Sequence, residues 1–486
     1  MKHLRDILPL REPPLKKLRD VVTSGLRCVS YKTGIIKAVL EQSLQQDDPL
    51  IFSFGTIMSD TSRYSFHRCS ERMGGAGLTR EEALAATIGE ALERYCLNFY
   101  NREDFIVSSY KSLRHKAVAP SDFILFSEQQ YAGEGFPFEP FTEASRVAWT
   151  WSHSLVHGTP TLIPACFAYL PYQFQRDEAI IGPSISTGLA CSSTLEEAIL
   201  LGIYECVERD AFTIMWLNRL AMPVVAITDG EIPAGRLFQE KFALSHIKYC
   251  VCDITSDIGI PTFYTLAIGD STLGKLVCVG SATRLQAQVA VQKTLVETAQ
   301  ARPYLRYVLR KNADWKCGAA FTNVQSFDDH ARLYSSMPEL IPKAQFVEQP
   351  PTRFLGELPN RSTGTITGDI EVCVNALASK GFDVLVVDLT TRDIAEVGFR
   401  VARVLVPGLQ PLHGDHRFRF LGGKRLYQVP KILGYAEECT TEQQLWRASP
   451  LSVTVIGYHE DSGKNHTSSA SISPSISCGL LAMLGR

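Results

Sequence analysis

TREEALAATIGEALER, residues 79–94, is written a second time as TLEEAILLGIYECVER, residues 194–209. Both copies place Thr first, Glu-Glu-Ala at the third to fifth positions, Glu at the twelfth and Glu-Arg at the end. Glu82, Glu90, Glu93 and Arg94 thus correspond to Glu197, Glu205, Glu208 and Arg209. The Thr-x-x-Glu opening is a capping box that starts a helix. At roughly 100° per residue, Glu82, Glu93 and Glu90 fall near 0°, 20° and 80°, on one face. Ala83, Leu84, Ala85, Ile88 and Leu92 occupy much of the remaining circumference, so the helix reads as largely buried. The second copy obeys the same arithmetic, with Ile199, Leu200, Ile203 and Val207 as its apolar residues.

Three carboxylates on one face of a mostly apolar helix are costly unless something positive neutralises them. A single such helix reads as a solvated acidic face with Glu–Arg pairs. A solvated face need not repeat position for position 115 residues later. Two helices pooling carboxylates around one site account for the repeat. Hard cations that carry phosphates are the natural occupants, because Mg²⁺ is held by a few carboxylates plus phosphate oxygens. The repeat therefore predicts a nucleotide–Mg²⁺ site between two pseudo-symmetric helices.

GEALER (89–94) and STGLACSSTLEEAILLGIYECVERDAF (186–212) resemble the two signature segments of the YcaO family. AVQKTLVETAQAR (290–302) is similar to that family's Glu-x-x-Gln helix, and the resemblance spans about residues 55–430. It implies a mixed α/β (α+β) fold with duplicated helix-plus-sheet halves around an ATP–Mg site. It also implies ATP and Mg²⁺ as cofactors, used to activate a peptide amide oxygen. In many members Cys, Ser or Thr of a ribosomal precursor peptide attacks the preceding carbonyl. The resulting oxygen takes the γ-phosphoryl of ATP, and loss of phosphate leaves a thiazoline or oxazoline. The site residues carried over are Glu90, Glu93, Glu205 and Glu208 for Mg²⁺, and Glu197, Ser193, Arg209 and Lys293 for ATP. Glu297 and Gln300 complete the catalytic set. Ser193 stands where the family often has Asn, and Lys293 where it can have Arg. Lys32, Thr33 and Lys37 are the candidates for nucleotide contacts made near the start of the fold.

The composition agrees with such an enzyme. With 49 basic against 51 acidic residues the chain is near neutral, which argues against general nucleic-acid or membrane-surface binding. Its 13 cysteines are scattered without Cys-x-x-Cys, which fits reduced thiols and a cytoplasmic location. Charges interrupt every apolar run of the N-terminus, and no stretch approaches the ~20 residues that span a bilayer. Three regions are expected: an N-terminal arm and start of the fold (1–54), an ATP-binding catalytic domain (55–430) and a C-terminal extension (431–486). The first ~27 residues read as a flexible or docking arm, and the Ser-rich stretch after about 460 as disordered.

PLIFSFGTIMS (49–59) reads as a strand, and Gly74, Gly75 and Gly77 as either a strand–helix turn or a phosphate contact. The family's Gly-Lys-Gly here is Gly75-Ala76-Gly77. Residues 251–283 read as a β-hairpin leading into a third helix, Gln286 to Leu309, on which Lys293, Glu297 and Gln300 share a face. Residues 312–365 read as helical with a loop around 348–352. Residues 370–390 give a helix, a stop at Gly381 and a buried strand. The run from 399 continues the sheet and turns at Pro407-Gly408. VPGLQPLHGDHRFRFLGGKRLYQVP resembles azoline-forming members, which usually end in Pro-x-Pro-x-Pro. Ser449-Pro450-Leu451-Ser452 would be a degraded counterpart.

Some signals are set aside. Gly457 to Asn465 has the wrong spacing for a P-loop. His413 and His416 read as surface histidines without a third metal partner. Cys96, Cys191 and Cys206 read as packing residues. The partners implied are the precursor peptide, a separate leader-peptide-binding protein and a flavin-dependent azoline dehydrogenase, with a homodimer also admitted. Two rival readings are thioamide or amidine formation, and a non-catalytic scaffold of a peptide-modification complex.

Overall fold

The computed structural model describes residues 9–62, 65, 73–244, 246–447 and 450. Both repeat helices start where the capping signal places them. Thr79 and Thr194 are extended, and their hydroxyls accept from the backbone N–H of Glu82 and Glu197. The first-copy helix runs Arg80–Leu97 and the second-copy helix Leu195–Asn218. Each buries its apolar face, with Ile88, Ala91 and Leu92 in one core cluster and Ile199, Ile203 and Val207 in another.

Three sheets surround them. The first is antiparallel, in the order Ile36–Glu41, Phe52–Met58, Gly74–Gly77. Its last strand lies so close to the first-copy helix that a Cβ at Gly75 would stand 2.3 Å from Thr87 N, and one at Gly77 2.6 Å from Ala83 N. These two glycines serve helix-on-strand packing. The second sheet has five strands in the order Gly274–Thr283, Thr262–Ser271, Ile247–Asp253, Val224–Ala226, Pro351–Phe354. The third helix, Ala287–Lys311, packs across its hairpin where Gly280 gives room beside Thr294 and Thr298. The remaining sheet runs Ile106–Ser109, Arg146–Ser154, Leu385–Asp388, Arg400–Leu405, Leu189–Ser192, with Pro160–Pro164 added to Arg146–Ser154. This is the mixed helix-and-sheet architecture expected from the sequence.

Several expectations shift. The N-terminal arm carries a helix, Leu18–Leu26, whose Gly25 lies against Ile88. The boundary expected at residue 54 falls inside the strand Phe52–Met58. The loop expected around 348–352 gives way to the edge strand Pro351–Phe354, which pairs in parallel with Val224–Ala226. Residues 431–447 do not stand apart from the main body. Leu445 is fully buried, and the Pro450 carbonyl accepts from Trp216 Nε1 (3.1 Å) and the Tyr334 hydroxyl (2.6 Å). Ser449, Leu451, Ser452, the P-loop-like stretch and the Ser-rich tail lie outside the described residues.

Candidate active site

The two repeat helices and the third helix converge on one cleft of about 340 Å³. The first copy supplies Glu90, Glu93 and Arg94 to its wall, and the second supplies Glu205, Glu208 and Arg209. The third helix adds Lys293, Glu297 and Gln300. Eight of the ten residues carried over for Mg²⁺, ATP and catalysis therefore face one space, although they come from segments some 200 residues apart. Ser193 and Glu197 are not among the lining residues. The Ser193 carbonyl accepts from Lys16 Nζ at 3.3 Å, and the Glu197 carboxylate is taken up by the Ser192 hydroxyl. Lys32, Thr33 and Lys37 also lie off the lining.

Backbone and hydroxyl donors orient the carboxylates. Glu93 Oε1 accepts from Cys191 N at 2.8 Å and Glu205 Oε2 from Gly188 N at 2.9 Å. Glu208 Oε1 accepts from the Ser281 hydroxyl at 2.8 Å. Arg94 Nε meets Glu90 at 3.0 Å, while Arg209 bridges Glu205 (3.3 Å) and Glu208 (3.2 Å). Lys293 Nζ stands 3.5 Å from Glu297.

The cluster is short of positive charge. Burial, and then repulsion from Glu90, push the Glu93 carboxyl well above the ordinary range despite Arg94. Burial raises Glu208 to about 7, with Glu297 and Glu205 adding to the effect against the pull of Arg209. For Arg209, burial opposes the charge, but Glu208, Glu205 and Glu297 outweigh it and hold the guanidinium more firmly protonated than usual.

This donor set fits Mg²⁺–ATP. A cation would relieve the repulsion recorded by Glu93 and Glu208. Arg94 Nη1 is buried in the cleft wall without a hydrogen-bond partner among the described residues, a donor suited to a phosphate oxygen. Among the described residues no three of His, Cys, Asp and Glu are gathered closely enough to hold a metal unaided. Mg²⁺ accommodates that, because it retains several waters and takes only one or two carboxylates along with phosphates.

Other residues were not legible. Arg94 could have been assigned a role from the repeat, as the counterpart of Arg209. Ser281 and the N–H groups of Gly188 and Cys191 left no signal, because the fold alone brings them to the carboxylates. The histidine reading needs correction. His413 and His416 are buried and share a cluster with His330, whose ring lies 5.7 Å from that of His413 and 6.3 Å from that of His416. Burial depresses both His413 and His416, the latter to about 2, so they stay neutral in the core. Cys96 and Cys206 are buried thiols, and burial raises both to about 12, in line with packing.

A family model described as YcaO cyclodehydratase, binding ATP and Mg²⁺, matches residues 74–410. An uncharacterized protein of Methanothermobacter thermautotrophicus is 28% identical over 352 residues, covering 70% of this chain and 82% of its own. A heterocyclase solved in complex with substrate and cofactor superposes with a TM-score of 0.74 at 24% identity. That alignment covers 91% of this chain and 59% of the heterocyclase, so the chain spans under two thirds of that protein. The YcaO protein of Methanopyrus kandleri, bound with AMPPCP and Mg²⁺, gives a TM-score of 0.55 at 17% identity, covering 81% of this chain and 90% of its own.

Proposed function

The chain belongs to the YcaO family, whose cofactors are ATP and Mg²⁺, and from that premise we propose that it is an ATP-dependent peptide cyclodehydratase. Its substrate would be a ribosomal precursor peptide, in which Cys, Ser or Thr closes on the preceding backbone carbonyl to give a thiazoline or oxazoline. The carrying observation is the gathering of carboxylates from both repeat helices with Lys293, Glu297 and Gln300 in one cleft.

In this reading Glu90, Glu93, Glu205 and Glu208 share the Mg²⁺ carried by ATP, one or two carboxylates to each ion, with phosphate oxygens and water completing its shell. Arg94, Arg209 and Lys293 face the phosphates. Glu297 and Gln300 lie where the peptide amide is to be held in line. When bound, Mg²⁺–ATP supplies an activated phosphoryl group for the amide oxygen. The chain's own contribution is positioning and charge. The Cys191 and Gly188 N–H groups and the Ser281 hydroxyl pre-aim the carboxylates, so little reorganisation remains at the moment of transfer. Glu197 and Ser193 are proposed to contact the nucleotide, Glu197 after release from the Ser192 hydroxyl. A separate protein that captures the leader peptide is proposed as a partner.

The test is ATP hydrolysis by the purified chain, with and without candidate precursor peptide and leader-binding partner. Peptide-dependent hydrolysis with loss of one water per modified residue supports the proposal. Exchange of oxygen for sulfur would make the chain a thioamide-forming enzyme. Nucleotide binding without any peptide-stimulated turnover would leave it a scaffold.

A further inference from the structure

Arg403 is a buried arginine outside the cleft lining. It is 2% exposed, on the strand Arg400–Leu405, with its backbone opposite Leu189. Nε donates to the Phe167 carbonyl at 3.1 Å and Nη2 to the Ile185 carbonyl at 2.6 Å. Nη1 has no hydrogen-bond partner, and no ion pair to Arg403 is seen among the described residues. Burial lowers its pKa to about 10. A buried, unpaired cation is expensive, and an apolar side chain of similar volume would fill the space at lower cost.

The segment that Arg403 grips leads directly into the cleft. Ile185 lies three residues before Gly188, whose N–H points at Glu205 Oε2. Gly188 has φ +84°, and its carbonyl accepts from Val404 N at 2.7 Å. A Cβ at Gly188 would come within 2.1 Å of the Val404 carbonyl. The turn is thus pinned by Val404 on one side and by the Arg403 fork just before it. Two carbonyls in fixed positions suit the rigid, planar guanidinium better than a flexible ammonium.

We propose that Arg403 is a positioning residue for Glu205: by holding the Ile185 and Phe167 carbonyls it fixes the 185–188 turn that keeps the Gly188 N–H on the metal-binding carboxylate. The inference rests on the reading of the cleft as a Mg²⁺–nucleotide site. Residues that orient a metal ligand from behind typically change metal affinity by about 10–100-fold when replaced.

The experiment is calorimetric binding of AMPPCP to the full chain over a Mg²⁺ series, for wild type, Arg403→Met and Arg403→Lys, with hydrogen exchange followed over 185–191. Both variants should need roughly tenfold more Mg²⁺ for half-maximal binding and should exchange faster at Gly188, even though Lys keeps the charge. Should Arg403→Met fail to fold, Arg403→Lys carries the test. An unchanged Mg²⁺ midpoint with only a lower melting temperature would make Arg403 purely structural and overturn the inference. So would tighter Mg²⁺ binding in the Met variant with wild-type behaviour in Lys, which would mean that Arg403 acts through charge. A wild-type chain that binds no AMPPCP at any Mg²⁺ concentration would overturn the site reading, and the inference with it.

Discussion

The two copies of the repeat share eight of their 16 positions, the acidic residues and the closing arginine among them, and yet do different work in the fold. In the first, Glu82 closes the capping box on the Leu78 and Thr79 N–H groups, and Arg94 pairs with Glu90, its Nη1 unmet among the described residues. In the second, Glu197 turns from the N-cap backbone to the Ser192 hydroxyl, and Arg209 clasps both Glu205 and Glu208. The anchoring donors break the symmetry further. Glu93 and Glu205 both take N–H groups from residues 188–191, just ahead of the second helix, whereas Glu208 takes a hydroxyl from the hairpin strand. A duplicated helix therefore does not make a two-fold site. One backbone segment serves both halves, and the equivalent arginines differ in reach, Arg94 pairing with Glu90 while keeping one donor spare and Arg209 pairing with two acids.

The largest expected effect tests what the copies share. Glu93→Gln and Glu208→Gln should each reduce ATP turnover by ~100-fold or more, while the apo protein stays folded or gains stability. The sign follows from protonation. Glu208 titrates near 7 in the fold, because its charge is disfavoured by burial. In the unfolded chain it titrates in the ordinary carboxylate range. Between those values the native state binds the extra proton, so raising the pH lowers stability. The apo melting temperature should fall as pH rises from about 5 to 7, and Glu208→Gln should flatten that fall. Mg²⁺ binding should strengthen over the same interval, because the metal takes the deprotonated carboxylate. Near-normal turnover in either variant would reduce the repeat to a structural motif.

Next comes the division of labour between the arginines. Arg209→Ala leaves two acids of a partly buried pair uncompensated and should cost about 3 kcal/mol of apo stability, partly recovered by added Mg²⁺. Arg94→Ala should cost less stability and instead weaken nucleotide binding by roughly 10–100-fold, the loss of one charge-assisted phosphate contact. Melting curves read alongside nucleotide titrations separate the two. Equal loss of stability in both variants would mean that the helices are equivalent after all.

The repeat was legible because its information is local: a capping residue, a 3.6-residue period and charges that recur in register. Those features place Glu90, Glu93, Glu205 and Glu208, the apolar runs at 251–270 and 275–283 place the hairpin, and the spacing of Lys293, Glu297 and Gln300 places the third helix. What failed to show depends on distant contacts. The strand Pro351–Phe354 exists because Val224–Ala226 offers it an edge, and its own residues are exposed and weakly patterned. His413 looked like a surface residue because its neighbours are polar, but His330, 83 positions earlier, and the core close over it. Ser193 and Glu197 illustrate the converse. Glu197 has the right register in the repeat, and a hydrogen bond from the neighbouring Ser192 takes its carboxylate off the cleft, while Ser193, just ahead of the repeat, has its carbonyl held by a lysine of the N-terminal arm.

The smallest expected effect probes that last difference. Glu82 accepts from two backbone N–H groups, so Glu82→Ala should lower stability by about 1 kcal/mol and leave nucleotide binding unchanged. Glu197 has no such cap to lose, since its carboxylate sits on a serine hydroxyl. Glu197→Ala should therefore cost only a few tenths of a kcal/mol of apo stability. Its effect on nucleotide binding then decides which role holds in the bound state. If binding weakens several-fold while apo stability holds, Glu197 has exchanged Ser192 for the nucleotide, and Ser192→Ala should strengthen binding by freeing the carboxylate in advance. If neither substitution changes binding, Glu197 stays on Ser192 throughout. The second copy would then contribute to the site only through Glu205, Glu208 and Arg209, two turns and more further along the helix.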